Sequence, residues 1–328
     1  MHHESHEPVL LEAAIDVLRI QAGGTYVDAT FGRGGHSRAI YAGLSSGGHL
    51  IAMDRDPQAI AFGAHLPGAW ALPAKDARFS LMHARFGRLG AVLDDLGVRQ
   101  VDGVLFDLGV SSPQLDQAER GFSFRLDGPL DMRMNPLEGQ SARQWLSETS
   151  AAGIEAVLRD FGEERQAKAI AQAIKERFET AGDAALQTTG ELASLIQQVL
   201  KRRGVRRDDG KDLATRSFQA IRMQVNQELQ EIDEGLAQAL ERLSPGACMA
   251  VISFHSIEDR RVKQFFSRHC GAMAARDPVT GARLQAEWPL HAAGRVLPDA
   301  QSIQRNPRSR SAVLRYAYRR PQNSGGKL

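Results

Sequence analysis

The chain has 328 residues, a formal net charge of +2, 42% hydrophobic residues and 24% charged residues. This composition is typical of a globular protein, and the length suits one large domain with a smaller one. The near-neutral charge excludes a protein that coats nucleic acid by bulk basicity, and the lack of a long apolar run in the sequence predicts no membrane association.

Cysteine and histidine usage narrows the class of protein further. Two cysteines and an N-terminus without an apolar signal region predict a cytoplasmic protein with reduced thiols. His2, His3 and His6 have no second cluster of ligands to join them, so no metal site is expected. The oligomeric state stays open, with a homodimer among the alternatives.

Strand and helix patterns alternate through the first third of the chain. A helix is predicted over about residues 9–20, and further helices should begin near His36, Pro57 and Gly87. The predicted strands cover residues 26–30, 50–54, 79–84 and 101–108. Because strands that alternate with amphipathic helices are joined by right-handed crossovers, this order predicts a parallel sheet.

The alternation stops after the fourth predicted strand. Residues 115–212 contain no convincing strand pattern, and helices dominate there. A single long helix is predicted next, because apolar residues recur every three or four positions from Phe218 to Leu243. We therefore predict an α/β fold in which one domain, residues 1–114 and 213–328, is interrupted by an inserted helical domain of residues 115–212.

The C-terminal third completes the predicted sheet. Strand patterns resume at 248–254 and 312–318, and a helix is predicted over 257–268. Residues 271–307, which lie between the predicted helix and the last predicted strand, are interpreted as a loop.

The most informative segment is a strand that breaks into glycines. The β-branched and aromatic run of residues 25–30 is followed by Gly32, Gly34 and Gly35 and then by a helical pattern. Such a turn lets the backbone approach a nucleotide-like cofactor, and the helix N-terminus behind it attracts a carboxylate. Ser37 stands where a dinucleotide fingerprint needs its third glycine, and no Lys-Ser/Thr pair follows as in a P-loop.

Two acids lie at or near the ends of predicted strands. Asp54 comes about twenty residues after the glycines, where an acid can bind a ribose diol. The alternative is that it caps the next helix. Asp107 should reach the end of its strand and accept hydrogen bonds from a cofactor amine, or else pair with a loop backbone. A glycine loop followed by such acids suits S-adenosylmethionine, which has an amine, a carboxylate, a ribose and a sulfonium but no phosphates.

A partial motif indicates the acceptor chemistry. Ser111-Ser112-Pro113 matches part of the Asp/Asn/Ser-Pro-Pro-aromatic motif of amino-group methyltransferases, so Ser112 and Pro113 join Asp107 as candidate catalytic residues. An exocyclic amine is a poor nucleophile until acceptors hold its protons. Catalysis then requires acceptors, in-line placement and exclusion of water rather than a catalytic triad.

Basic residues concentrate in two places. The first run contains five cations within seven residues, namely Lys201, Arg202, Arg203, Arg206 and Arg207. The second set consists of Arg305, Arg308, Arg310 and Arg315. Although charge runs are often only solvated surface, their position after a helix and beside the last strand favours contacts with nucleic-acid phosphates.

These segments resemble a known family over almost the whole chain, from residue 6 to residue 311. Specific blocks are Thr-Phe-Gly-Arg-Gly-Gly-His-Ser-Arg at 30–38 and Ile-Ser-Phe-His-Ser at 252–256, with others at 54–60, 107–115, 119–124, 128–134 and 214–220. The family is the bacterial ribosomal RNA small subunit methyltransferase H family, whose members methylate N4 of a cytidine in 16S ribosomal RNA.

The resemblance implies a Rossmann-like, class I S-adenosylmethionine-dependent methyltransferase sheet with an inserted RNA-recognition domain. It implies a target in the decoding region of 16S ribosomal RNA within the small ribosomal subunit. It also implies cofactor contacts at Gly34, Gly35, His36, Asp54, Phe86, Asp107 and Gln114. The residues alone indicate the glycines and both acids, whereas the expected packing of Phe86 on adenine comes from the resemblance.

Two other classes of protein are weighed against this interpretation. A non-catalytic RNA-binding assembly factor would not need the intact set of Gly34, Gly35, Asp54 and Asp107. A nicotinamide dehydrogenase is disfavoured by Ser37 in place of the third glycine.

Overall fold

The structure is a computed structural model that describes residues 8–65, 76–206, 212–271 and 288–321. The chain forms two compact units. The first unit contains residues 1–109 and 229–328, and the second contains residues 110–228. Among the described residues, no helix is both long enough and apolar enough to cross a membrane.

The first unit is built on a seven-stranded sheet, which confirms the predicted α/β fold class. Its strands are β1 (Thr25–Asp28), β2 (His49–Asp54), β3 (Phe79–His83), β4 (Val101–Asp107), β5 (Leu243–Ser253), β6 (Leu290–Val296) and β7 (Val313–Arg319). They lie in the order β3-β2-β1-β4-β5-β7-β6. The first five run parallel, whereas β7 is antiparallel to both β5 and β6.

The helices of this unit alternate with the strands along the chain. They are α1 (Leu11–Leu18), α2 (Gly35–Ala42), α3 (Pro57–Ala64), α4 (Leu89–Asp95), α11 (Glu228–Arg242, whose first residue belongs to the second unit), α12 (Ser256–His269) and α13 (Ala300–Arg305). The strands β1, β2 and β4 are almost fully buried, which explains their continuous apolar runs. Because β1, β2 and β4 are adjacent and parallel, the residues that follow them meet at one edge of the sheet.

The second unit is helical. It contains α5 (Ser112–Asp116), α6 (Ala142–Glu148), α7 (Ala151–Gly162), α8 (Ala167–Ala181), α9 (Thr189–Arg202) and α10 (Thr215–Val225). Leucine, isoleucine and alanine side chains of these helices form a core of their own, which includes Ile154, Ile170 and Ile196. The unit begins before the predicted boundary at residue 115 and ends after the predicted boundary at residue 212, because Phe218 and Ile221 of α10 belong to this core.

The prediction of one long helix over residues 218–243 is wrong. Asn226 ends α10, and its buried side chain accepts from Met134 N and donates to Met132 O, both at 2.8 Å. Gln227 then takes a left-handed conformation with φ +53°, and α11 begins at Glu228. The continuous apolar stripe could not reveal this break, because the break depends on hydrogen bonds to residues more than ninety positions away.

Two further predictions near the C-terminus need correction. The stretch 271–307 is not simply a loop, since its described part contains β6 and α13. The fifth strand begins at Leu243 rather than at residue 248. Pro245 is accommodated there because the pairing with β4 shifts register between Val101 and Gly103, so that Pro245 has no partner in the ladder.

Candidate active site

The glycine loop after β1 has a backbone conformation and packing that require glycine. Gly34 has φ +70°, which glycine adopts without strain, and it immediately precedes α2. A Cβ at Gly35 would lie 2.1 Å from Pro8 Cγ, so a larger residue has no space there. Asp54 fixes the loop, because its Oδ2 accepts a 2.7 Å hydrogen bond from Gly32 N. The first amides of α2 are therefore held at the end of β1, where they can bind a carboxylate.

Three polar residues connect the ends of β1 and β4, and two of them, Asp28 and Thr30, had no role predicted from the sequence. Asp28 is buried, and its carboxylate accepts from Ser37 Oγ at 2.5 Å and from Thr30 N at 3.2 Å. The hydroxyl oxygen of Thr30 in turn accepts from Asp107 N at 2.7 Å. The only sequence signal for Asp28 was an acid inside an otherwise apolar strand. Ser37, which breaks the dinucleotide fingerprint, is thus a partner of that acid.

Asp107 ends β4 beside a neutral histidine. His36 Nε2 lies 3.2 Å from the carbonyl oxygen of Val9, so this nitrogen carries the proton and donates it. The other ring nitrogen, Nδ1, then offers a lone pair and lies 3.6 Å from Asp107 Oδ2. Burial lowers the pKa of His36 to about 4, so the ring is uncharged near neutral pH.

The other carboxylate oxygen of Asp107, Oδ1, is buried and has no hydrogen-bond partner among the described residues. Burial raises the pKa of Asp107 well above its ordinary value, and the carboxylates of Asp28 and Glu258 raise it further. Glu258 is only 1% exposed, and its Oε2 accepts from Phe254 N at 3.0 Å. A group of acids arranged in this way favours a positively charged ligand.

Asp54 is both a structural and a ligand-binding candidate. Besides its bond to Gly32 N, it accepts from Asp56 N at 2.8 Å, so the two alternatives considered from the sequence are compatible. Burial raises the pKa of Asp54 to about 6, and its two backbone hydrogen bonds only partly offset this rise. Each carboxylate oxygen has a second lone pair, which leaves acceptor capacity for a ribose diol.

Phe86 lies next to the end of β3. The amide of Ala84 donates to Asp54 O at 3.0 Å, which places this segment beside the end of β2. The ring of Phe86 packs edge to face against Phe106, with centroids 5.6 Å apart and an interplanar angle of 81°. The ring is partly exposed, and an aromatic ring at this edge of the sheet can stack on a purine.

These groups fit the S-adenosylmethionine that the sequence predicts. Amides at the start of α2 suit its carboxylate, Asp107 Oδ1 suits its ammonium group and Asp54 suits its ribose diol. Six of the seven predicted cofactor residues lie in the first unit at or soon after the ends of β1, β2, β3 and β4, namely Gly34, Gly35, His36, Asp54, Phe86 and Asp107. Their contacts with the cofactor remain predictions.

Gln114, the seventh, belongs to the second unit. It is buried in the short helix α5, where its Oε1 accepts from Ser111 N at 3.0 Å as half of a capping box. Ser112 and Pro113 form the first turn of the same helix and are partly exposed. The proposed roles of these three residues in binding and catalysis also remain predictions.

The two basic sets differ in the exposure of their side chains. Lys201 and Arg202 occupy the last turn of α9, and they are exposed together with Arg203 and Arg206, whereas Arg207 lies outside the described residues. Arg315 cannot serve as a free cation, because its Nε and Nη2 donate to Asp259 at 2.6 and 2.9 Å. Arg305, Arg308 and Arg310 are exposed in α13 and the following turn.

Comparison with known proteins places these features in context. The sequence model of the MraW methylase family matches residues 3–320. Ribosomal RNA small subunit methyltransferase H of Dechloromonas aromatica (strain RCB) is 48% identical over 317 residues, which cover 95% of this chain and 97% of that protein. The protein of the same name from Burkholderia thailandensis is 49% identical over 317 residues, with coverages of 96% and 97%.

A solved rRNA methylase from Streptococcus thermophilus aligns with 94% of this chain and 93% of its own chain, at 12% identity and a TM-score of 0.39. A structural likeness this low supports no conclusion about function.

The raised pKa of Asp54 predicts a pH dependence of cofactor affinity. The ionised carboxylate is the stronger acceptor for the ribose hydroxyls, so affinity should fall as the pH drops through about 6, by at most tenfold per pH unit. Unfolding is not the cause, because a carboxyl with a raised pKa in the folded state binds its proton there first and so favours the folded state in this window. Calorimetric titration from about pH 7.5 to about pH 5 measures the effect, since the cofactor amine stays charged below about 7.7.

Asp54→Asn is the matched control. It should bind more weakly at the upper pH, by on the order of 1.5–3 kcal/mol, and should lose this part of the pH dependence. If the affinity of Asp54→Asn depends on pH in the same way as that of the wild-type protein, Asp54 only supports the loop.

Proposed function

The chain belongs to the MraW methylase family, and from that membership we propose that it methylates N4 of one cytidine in the decoding region of 16S ribosomal RNA. S-adenosylmethionine is the methyl donor. The substrate would be RNA within the small ribosomal subunit, which places the proposed reaction in the cytoplasm. Near-complete coverage of curated relatives that carry the name ribosomal RNA small subunit methyltransferase H supports this substrate class.

One structural observation supports the assignment more than any other. The buried Oδ1 of Asp107 has no hydrogen-bond partner among the described residues. The nearby carboxylates of Asp28 and Glu258 make a positively charged ligand favourable at this position. The methyl donor carries an ammonium group, and when bound it supplies an electrophilic methyl on a sulfonium. Asp107, Asp54 and the amides at the start of α2 would bind three different parts of it and so fix the position of the methyl.

The acceptor side of the site needs oxygens rather than a strong base. The exocyclic amine of cytidine becomes nucleophilic when acceptors hold its two protons. We assign this task to the segment of Ser112 and Pro113, since serine offers a hydroxyl oxygen and both residues offer carbonyl oxygens. Asp107 contributes by holding the donor in line with the amine.

The position of the new methyl group tests the proposal. Small ribosomal subunits and naked 16S RNA that lack the modification would be incubated with the protein and methyl-labelled cofactor, and the RNA digested and mapped by mass spectrometry. We expect one labelled cytidine that co-elutes with authentic N4-methylcytidine, and less label with Asp107→Asn, in which one acceptor oxygen becomes a donor. Label on another base or on the cytosine ring carbon would contradict the proposal, and particle binding without transfer would favour the non-catalytic assembly factor.

The exposed run at the end of α9 is proposed to contact RNA phosphates. Replacing Lys201, Arg202 and Arg203 by alanine should weaken particle binding and reduce its salt dependence, by roughly one slope unit for each lost phosphate contact. Binding of the cofactor alone should not change. The measurement is particle affinity across a salt series.

The control removes three exposed cations elsewhere in the same unit, Arg165, Lys168 and Arg177. This triple variant has the same net charge as the first but should keep the wild-type salt slope. If both variants behave alike, the run is ordinary solvated surface or acts only through total charge.

A further inference from the structure

One face of α11 holds the backbone of the segment that carries Phe86. Glu231 Oε2 accepts from Gly87 N at 3.0 Å, and Gln238 Oε1 accepts from Gly90 N at 2.7 Å. The side-chain amide of Gln238 also donates to Gly87 O. These positions are seven residues apart and therefore lie on the same side of the helix.

Gly235 lies between them on that face and touches the Phe86 ring. A Cβ at Gly235 would lie 2.7 Å from Phe86 Cδ2 and 3.2 Å from Phe106 Cε1. The first distance is shorter than real Cβ contacts allow, so the ring rests directly on the helix backbone. Phe106, which is almost fully buried, supports the ring from the side and immediately precedes Asp107 in β4.

The polarity of this face is unusual for a packed helix. Glu231 is 5% exposed, and a buried carboxylate is costly unless charges and hydrogen bonds stabilise it. Here it accepts the Gly87 amide and lies 3.6 Å from Arg85 Nη1. The apolar stripe of α11, which includes Ile232 and Leu236, packs in the core without these polar contacts. The polar residues of this face therefore have a role beyond core packing, namely to hold the backbone next to Phe86 by hydrogen bonds.

We infer that α11 positions the adenine-side wall of the cofactor site. Gly235 sets the depth of the Phe86 ring, and Glu231 and Gln238 fix the backbone that carries it. All three are positioning residues, since they act through Phe86. The inference rests on the proposed contact between Phe86 and the cofactor.

A double-mutant cycle between Gly235 and Phe86 tests this inference. In Gly235→Ala the new methyl displaces the ring, so affinity for S-adenosylhomocysteine should fall by up to about tenfold. The KM for S-adenosylmethionine should rise by a similar factor, whereas kcat at saturating cofactor should stay within about twofold. In Phe86→Ala the ring is absent, so adding Gly235→Ala should not weaken binding further.

Ala237→Ser serves as the control, because Ala237 is an exposed residue of the same helix and this substitution also adds a single heavy atom. It should bind cofactor like the wild type. If Gly235→Ala does not fold, Gln238→Glu replaces it. In this variant one carboxylate oxygen still accepts from Gly90 N. The side chain can no longer donate to Gly87 O, because a second oxygen replaces the amide nitrogen. The KM for S-adenosylmethionine should therefore rise as in Gly235→Ala.

The outcomes separate this inference from the proposed function. Wild-type affinity in a folded Gly235→Ala or Gln238→Glu variant, or losses that add fully in the double variant, would overturn it. Wild-type affinity in Phe86→Ala would also overturn it by removing its premise, yet methylation of ribosomal RNA would be unaffected by that result. Conversely, if the methylated base is not a cytidine of 16S ribosomal RNA, the double-mutant cycle still tests the role of α11, because it measures only cofactor affinity.

Discussion

The cofactor site depends on one buried oxygen atom that has no hydrogen-bond partner among the described residues. Asp107 Oδ1 lies at the end of a central strand without a hydrogen bond from the described residues, and Asp28 and Glu258 add negative charge around it. A polar atom in this state lowers the stability of the free protein unless its carboxyl group takes up a proton. A cationic amino group that binds this carboxylate would remove the loss of stability, so the protein should be more stable with the ligand bound.

The rest of the first unit keeps that oxygen in place. Parallel pairing brings the ends of β1 and β4 together, and the Thr30 hydroxyl then holds the Asp107 amide. Asp28 fixes Thr30 on one side and Ser37 on the other, so the strand, the glycine loop and α2 share one buried carboxylate. His36 is held in a single tautomer by Val9 and turns only a lone pair toward Asp107. None of these partners neutralises the acid, which leaves that task to the ligand.

The sequence predicted the parts of this arrangement that depend on local patterns. Strands β1 to β4 are short apolar runs separated by amphipathic helices, and the glycines and acids at their ends follow from backbone and charge arguments. Phe86 was found only through the family resemblance, because an aromatic residue after a strand is typical of core packing. Thr30 and Asp28 were missed since their roles depend on which strands become neighbours.

Other features depend on contacts between distant residues and were therefore predicted wrongly. The break between α10 and α11 follows from the hydrogen bonds of Asn226. Edge strand β6 has only one neighbouring strand and is partly exposed, and its sequence Leu-His-Ala-Ala-Gly-Arg-Val lacks an alternation of apolar and polar residues, so it gave no strand pattern. Arg315 was grouped with the exposed arginines because its ion pair to Asp259 spans more than fifty residues.

Proton release on cofactor binding would show whether Asp107 binds the ammonium group of the cofactor. Burial and the nearby acids raise the pKa of Asp107 in the free protein, and a bound ammonium group should lower it, so binding should release protons from this carboxyl. Calorimetric titration with S-adenosylmethionine at several pH values between about 5 and about 7, in two buffers that differ in ionisation enthalpy, gives the number of protons released at each pH. The wild-type protein should release more protons than Asp107→Asn, which has no acid to titrate at this position. Equal proton release by the two proteins would show that Asp107 does not bind the cofactor amine.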